Sequence, residues 1–205
     1  VLNELVDLEG IRAMPGYEEA TSDVVDAVLN EAGKLASEVL APLNRRGDVE
    51  APTVKDGVVT TSTEWRAAYQ KFAEGGWTAL IFDPEYGGQG LPRVLAVAVQ
   101  EMWDAANMSF GLCPLLTNSA AEAISLQGSE EQKRIYLTKL VSGEWAGTMN
   151  LTEPQAGSDL SAIRASAIPT DDDGHYLLSG QKIYITYGEH DLTSNIVHLV
   201  LARTP

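Results

Sequence analysis

The period of the hydrophobic pattern changes once along this chain, near Trp145, and nothing else in the sequence constrains the fold as strongly. Up to about Gly143 the apolar residues recur at three- and four-residue spacing. After Trp145 they alternate in short runs separated by turn chemistry. The expected class is α+β: an N-terminal all-α helical region over residues 1–144, followed by an antiparallel β-sheet or barrel over 145–205.

The helical part divides at its own stop signals. In EEATSDVVDAVLNEAGKLASEVLAP, the residues Val25, Val28, Leu29, Ala32, Leu35, Val39 and Leu40 form one stripe, with Asp23 and Asp26 near the start and Pro42 as the expected stop. A second helix is expected from about Ser62, with Trp65, Ala68, Tyr69 and Phe72 on one face and an end at Gly75 and Gly76. LPRVLAVAVQEMWDAAN opens with Pro92 and is apolar nearly all round, the pattern of a central helix surrounded by others. A further helix is expected over Ser109 to Leu126. SEEQKRIYLTKLVSG carries Ser129 and Gln132 at capping-box spacing and closes at Gly143.

The strand-like runs are SAIRASAIP, HYLLSGQKIYIT and NIVHLVLAR, with DDDG at 171 to 174 as a hairpin turn. The last run is followed at once by Thr204 and Pro205, and the chain begins with Val1, so we read it as a piece of a longer polypeptide with an incomplete sheet.

Composition removes several classes of function. The 205 residues, 44% of them hydrophobic, can bury a sizeable core. A net charge of −15, from 14 basic and 29 acidic residues, opposes nonspecific binding to nucleic acid or to an anionic membrane. The sequence has neither a membrane-length apolar run nor a signal-peptide pattern, and the expected location is the cytoplasm. The single cysteine, Cys113, lies in FGLCPLL and reads as a small buried thiol.

Other motifs have structural readings. FDPEYGGQG, residues 82 to 90, lacks the third glycine of a dinucleotide loop and the Gly-Lys-Ser/Thr of a P-loop, so it reads as a turn. His175, His190 and His198 lack the spacing of a metal site or a nucleophile–base pair. No serine sits in a nucleophile elbow.

Two stretches remain, TMNLTEPQAGSDL at 148 to 160 and GQKIYITYGEHD at 180 to 191. The first offers hydroxyls and backbone N–H groups around a proline–glycine turn. The second offers the ring of Tyr184 two residues before the hydroxyl of Thr186, on one face if the segment is a strand. That face suits a flat heteroaromatic ring, and the Gly157-Ser158 turn suits a pyrophosphate. A flavin dinucleotide has both parts. A cross-strand polar pair beside an ordinary loop is the alternative.

Thr152-Glu-Pro-Gln-Ala-Gly-Ser-Asp159 followed by Gly180-Gln-Lys-Ile-Tyr-Ile-Thr186 resembles the flavin-binding signature of the acyl-CoA dehydrogenases. DPEYGGQGLP and GSEEQKRIYLTKLVSGEWAGTMNLTEP are also similar to that family, and the resemblance runs from about residue 75 to 203. The first 60 or so residues stand outside it and suggest the N-terminally extended branch that includes methylmercaptopropionyl-CoA and long-chain enzymes.

The resemblance implies a helical domain, a middle β-domain and a C-terminal helical bundle, the last lying outside these residues. It implies FAD as cofactor, held by Met149, Leu151, Thr152, Gly157, Ser158, Tyr184, Ile185 and Thr186. Ser158 would also face the substrate, and Leu112, Leu115 and Leu116 would line the acyl pocket. The implied reaction is α,β-desaturation of an acyl-CoA thioester, with a glutamate base from the C-terminal part, so that no catalytic residue is expected within this chain. An electron-transfer flavoprotein would take the electrons, and the whole protein would be a homo-oligomer. Departures are Tyr184 where the family usually has tryptophan, Gln155 for a common glycine and Tyr187 for a common asparagine. An acyl-CoA oxidase-like flavoenzyme and a noncatalytic partner-binding scaffold stay open as alternatives.

Overall fold

The computed structural model describes every residue except Asp173. The helical part comprises α1 (Leu8–Arg12), α2 (Ser22–Lys34), α3 (Ala41–Val49), α4 (Trp65–Glu74), α5 (Arg93–Gln127), α6 (Glu130–Gln132) and α7 (Thr138–Val141). A short hairpin, β1 (Thr53–Lys55) with β2 (Val58–Thr60), stands between α3 and α4. The strands β3 (Ala146–Asn150), β4 (Ser166–Pro169), β5 (Tyr176–Ser179) and β6 (Ile196–Val200) follow.

The predicted stripes are the buried ones. On α2 and the turn after it, Val25, Ala32, Leu35 and Leu40 are buried, with Val28, Leu29 and Val39 packed against them. On α4 the four stripe residues Trp65, Ala68, Tyr69 and Phe72 are all buried. Pro42 does not stop the first helix. A π-helical turn over Leu35–Leu40 changes the hydrogen-bond register there, and the Ala41 N–H reaches back to the Ala36 carbonyl. Pro42 then sits in the first turn of α3, where a missing N–H costs nothing.

The two helices expected before and after Ser109 both form within α5 and meet at a kink at Asn107, whose φ of −160° and ψ of 85° are not helical. Buried Asn107 acts as an internal cap: its Oδ1 accepts from the Phe110 N–H at 3.1 Å and its Nδ2 donates to the Leu40 carbonyl at 3.2 Å. The first half of α5 is central but not covered all round, since Val97 and Met108 remain exposed. The Ser129–Gln132 capping box forms as its spacing predicted. The FDPEYGGQG segment is a turn around a 3₁₀ element, Pro84–Tyr86, with Gly87 and Gly90 at positive φ. A Cβ at Gly88 would lie 1.9 Å from the Phe82 carbonyl oxygen, so the tight approach demands glycine.

The strands pair differently from the antiparallel expectation. β4 and β5 form the antiparallel hairpin predicted around the acidic turn, though Asp173 itself lies outside the described residues. β3 and β6 are parallel, with Ala146 opposite Ile196 and Asn150 opposite Val200. The chain between them returns to its starting end before β6 begins, which parallel pairing requires. The described residues form three two-stranded sheets and no closed barrel. Residues Gly180 to Ile185, expected to continue a strand, are irregular.

Candidate functional site

β3 delivers the first half of the site. It lies against α5 at Gly147, where a Cβ would stand 2.6 Å from that of Ala120, and the Gly147 N–H donates to the Thr117 hydroxyl at 3.1 Å. Beyond Asn150 the chain leaves the sheet with Met149, Leu151 and Thr152 half-buried. It reverses between Glu153 and Ala156, which exchange backbone hydrogen bonds of 2.9 and 3.0 Å.

Glu153 is the centre of that reversal. It is 3% exposed, and its carboxylate accepts from Lys182 Nζ at 2.8 Å, Gln155 Nε2 at 2.6 Å and the N–H groups of Arg164 and Ala165 at 2.7 and 3.0 Å. A buried charge needs such a full shell of donors. Lys182 is the main cause that holds this carboxyl down to about 2. The Arg164, Ala165 and Gln155 donors add to it, against burial that pushes the other way. Gln155, a departure from the family pattern, thereby gains a local role, since its amide also reaches the Ala162 carbonyl at 3.2 Å.

Lys182 joins the two motifs. Its ammonium donates to the Leu151 carbonyl at 2.9 Å, and the neighbouring Ile183 N–H donates to the Thr152 carbonyl at 3.0 Å. The two stretches singled out in the sequence, some thirty residues apart, are therefore in direct contact. Lys182 was not among the predicted site residues. A lone lysine inside the apolar run KIYI was the available signal.

Tyr184 and Thr186 do not share a strand face, because the segment carrying them is not a strand. Tyr184 has a φ of 57° and is 89% exposed. Left-handed backbone at a bulky residue carries strain that surrounding structure must hold. Here Lys182 and Ile183 hold one side. On the other, the Tyr187 hydroxyl donates to the Ser109 carbonyl at 2.7 Å and the Gly188 N–H donates to the Ile185 carbonyl at 3.1 Å. Further along, Asp191 Oδ1 accepts from the Thr61 N–H and hydroxyl at 3.1 and 2.6 Å, and Arg66 pairs with its Oδ2 at 3.2 Å.

What these loops offer a ligand is specific. Among the described residues the hydroxyls of Thr152, Ser158 and Thr186 have no hydrogen-bond partner. Ser158 is exposed, and a Cβ at Gly157 would meet nothing within 4 Å. Ile185 and Thr186 are half-buried. Free hydroxyls, an open glycine turn and a projecting aromatic ring suit a ligand with a flat ring and oxygen-rich groups.

The three leucines separate. Leu112 lines a cavity of about 820 Å³ together with Ser109, Tyr187 and His190, whereas Leu115 and Leu116 do not line it. Cys113 is buried as expected, and burial pushes its thiol up to about 12. The histidines occupy structural settings: His198 Nδ1 lies 2.7 Å from the Thr148 hydroxyl, and His175 faces the Asp172 carboxylate at 3.3 Å. His190 is buried, and burial lowers its pKa. Among the described residues no cluster of His, Cys, Asp or Glu could hold a metal ion, and no helix is long and apolar enough to cross a membrane.

Residues 23–144 match the family described as acyl-CoA dehydrogenase, N-terminal domain. The chain is 52% identical over 195 residues to the 3-methylmercaptopropionyl-CoA dehydrogenase of Ruegeria pomeroyi, which covers 95% of this chain and 33% of that protein. It is 37% identical over 208 residues to a butyryl-CoA dehydrogenase of Syntrophomonas wolfei, covering 100% of this chain and 34% of that one. The crystal structure of an acyl-CoA dehydrogenase complexed with FAD from Bacillus anthracis superposes with a TM-score of 0.72 at 25% identity, over 91% of this chain and 29% of that one. The chain thus spans about a third of the length of the curated relatives it matches.

Proposed function

Because this chain belongs to the acyl-CoA dehydrogenase family, we propose that it forms the helical and flavin-facing part of an FAD-dependent enzyme that desaturates an acyl-CoA thioester between its α and β carbons. The observation that carries the proposal is the contact between the Leu151–Glu153 and Lys182–Ile183 segments, which joins the two motifs whose Thr152 and Thr186 hydroxyls have no partner among the described residues. When bound, FAD supplies the acceptor for the β-hydrogen and its electron pair.

The chain's own residues bind and orient. Met149, Leu151 and Ile185 supply apolar contact to the ring system, and Thr152 and Thr186 donate to its polar edge. Tyr184 stacks, while Gly157 and Ser158 approach the pyrophosphate and the thioester end of the substrate. Leu112, Leu115 and Leu116 border the acyl chain. Hydrogen bonds held in place by the Glu153–Lys182 brace require little rearrangement as charge develops.

We propose that neither carboxylate of the flavin motif takes the α-proton. Glu153 is saturated with donors, and Asp159 Oδ1 accepts from the Ser161 N–H and hydroxyl at 2.9 and 2.6 Å. A general base must reach its proton directly or through one water, and we assign that role to a glutamate outside these residues, as the family resemblance implies. We retain the division into a helical domain, 1–144, with an extension to about residue 60, and a β-domain, 145–205. We also propose a cytoplasmic homo-oligomer that passes electrons to an electron-transfer flavoprotein.

The test is turnover by the full-length protein with a panel of acyl-CoAs, in air and with an artificial electron acceptor. Acceptor-dependent enoyl-CoA formation without peroxide is the expected result. Stoichiometric peroxide would make the enzyme an oxidase, and a colourless protein without product would overturn the flavoenzyme reading.

A further inference from the structure

Among the described residues four non-glycine positions have positive φ: Asp7, Asp56, Tyr184 and Tyr187. Aspartate adopts that backbone at little cost, whereas a bulky side chain does not. Both tyrosines belong to the second motif. At Tyr187 the demand is well defined, because the Gly188 N–H donates to the Ile185 carbonyl at 3.1 Å and closes a four-residue turn over 185–188. Its third residue, Tyr187, has a φ of 53°, while Thr186 before it is not at positive φ. That is the type II pattern, which calls for glycine or asparagine at the third position.

The tyrosine side chain supplies what its backbone lacks. Its hydroxyl donates to the Ser109 carbonyl at 2.7 Å, its ring meets that of His190 edge-on at 5.5 Å, and it packs against the helical core. Ser109 lies just past the kink at Asn107, and Leu112 follows it three residues later in α5. On the other side of the motif, the Ile183 N–H donates to the Thr152 carbonyl at 3.0 Å. Tyr184, Ile185 and Thr186 are thus the three residues between one anchor on the loop after β3 and another on α5.

We propose that Tyr187 is a positioning residue: its bond to Ser109 holds Tyr184, Ile185 and Thr186 against α5 and so sets the flavin contacts relative to the acyl wall at Leu112. The assignment rests on the flavin-site reading above. Asparagine would satisfy the turn with less strain, yet it is too short to reach Ser109. Strain at a bulky residue persists where surrounding structure holds it, and a small misplacement of reacting groups costs rate without costing the fold.

The experiment uses the full-length protein with FAD and the acyl-CoA that reduces the parent's flavin fastest. It compares the parent with Tyr187→Phe, which removes only the hydroxyl, and with Tyr187→Asn, which suits the turn but loses the anchor. In both variants FAD affinity should fall roughly two- to tenfold. The limiting rate of flavin reduction should fall as well, with little change in the acyl-CoA concentration that gives half of it. The affinity loss caused by Tyr187→Phe should shrink in a Thr186→Ala background, because the anchor acts through the residue it holds. A purely structural tyrosine would lower the urea midpoint and leave affinity and limiting rate unchanged. That result, a Tyr187→Asn protein equal to the parent, or full additivity with Thr186→Ala overturns the proposal. A parent protein that binds no FAD, or whose flavin no acyl-CoA reduces, would show separately that the flavin reading itself has failed, and this assignment with it.

Discussion

Thr186 and Ser158 each present a hydroxyl that no described protein group engages, and that is where single substitutions report most cleanly on the site. On the proposed assignment, Thr186→Ala and Ser158→Ala in the full-length protein would each remove one hydrogen bond to a partly buried cofactor, a loss on the order of 1 to 3 kcal/mol. FAD affinity by equilibrium titration, or the rate of flavin reduction, should fall accordingly, and unchanged values in both variants would displace the site. Tyr184 is a different case, because its ring is 89% exposed and no contact within the chain requires it. Tyr184→Trp should retain flavin and Tyr184→Ala should lose roughly 0.5 to 1.5 kcal/mol of stacking beyond the lost area. Equal flavin affinity in the two variants would make Tyr184 a surface residue. The residue types of this site could be read from the sequence, but their geometry could not. Period-two reasoning put Tyr184 and Thr186 on one strand face, whereas Tyr184 adopts a φ of 57° in an irregular segment. Alternation of polar and apolar residues does not distinguish a strand from a braced loop once a buried ion pair replaces ladder hydrogen bonds.

At the scale of elements, the Glu153–Lys182 brace predicts a specific pH response. Its carboxyl lies near 2 in the fold against 4.5 for the unperturbed group. The contribution to stability is therefore complete above about pH 4.5 and is lost as pH falls through 2. Urea midpoints across that interval should fall with pH more steeply in the parent than in Glu153→Gln, and parallel curves would remove Glu153 from this role. The helical core offers a second measurement. Phe72 is fully buried and meets Trp103 edge-on at 4.7 Å and Phe110 at 5.6 Å between ring centroids. Phe72→Ala should cost about 3–5 kcal/mol in chemical denaturation, and a loss below 1 kcal/mol would contradict so tight a packing. Helix existence was legible because each stripe faces one core, and Phe72 is an example. Helix continuity was less legible at Pro42, which the π turn at Leu35–Leu40 carries the chain past, than at Asn107, where the kink falls between the two expected helices. Both depend on tertiary contacts, such as that from Asn107 to the Leu40 carbonyl, which a local pattern does not contain.

Across the whole molecule, the helical part serves as the platform for the loops. α5 supports β3 through Gly147 and Thr117, β3 delivers Met149 to Thr152, and Lys182 draws the second motif onto the first. Thr61, just before α4, reaches Asp191, so that segment is tied to the stretch following the Tyr184 turn. β6 lies parallel beside β3, and both strands touch α5. Sequence pattern alone favoured antiparallel neighbours, since it records strand length and alternation but not the path of the chain between strands. Family resemblance fixed the cofactor class more firmly than any periodicity could, because the motif residues are separated in sequence and meet through the contacts of Lys182 and Ile183 with Leu151, Thr152 and Glu153.

The central claim is that these two loops form one wall of a flavin site that acts on acyl-CoA. It is tested most directly by the anaerobic absorption spectrum of the full-length protein during titration with a panel of acyl-CoAs. The account predicts the bands of bound oxidised flavin and their stoichiometric bleaching by at least one acyl-CoA, with the corresponding enoyl-CoA recovered. A protein that binds no flavin, or whose bound flavin stays oxidised with every acyl-CoA, would contradict it.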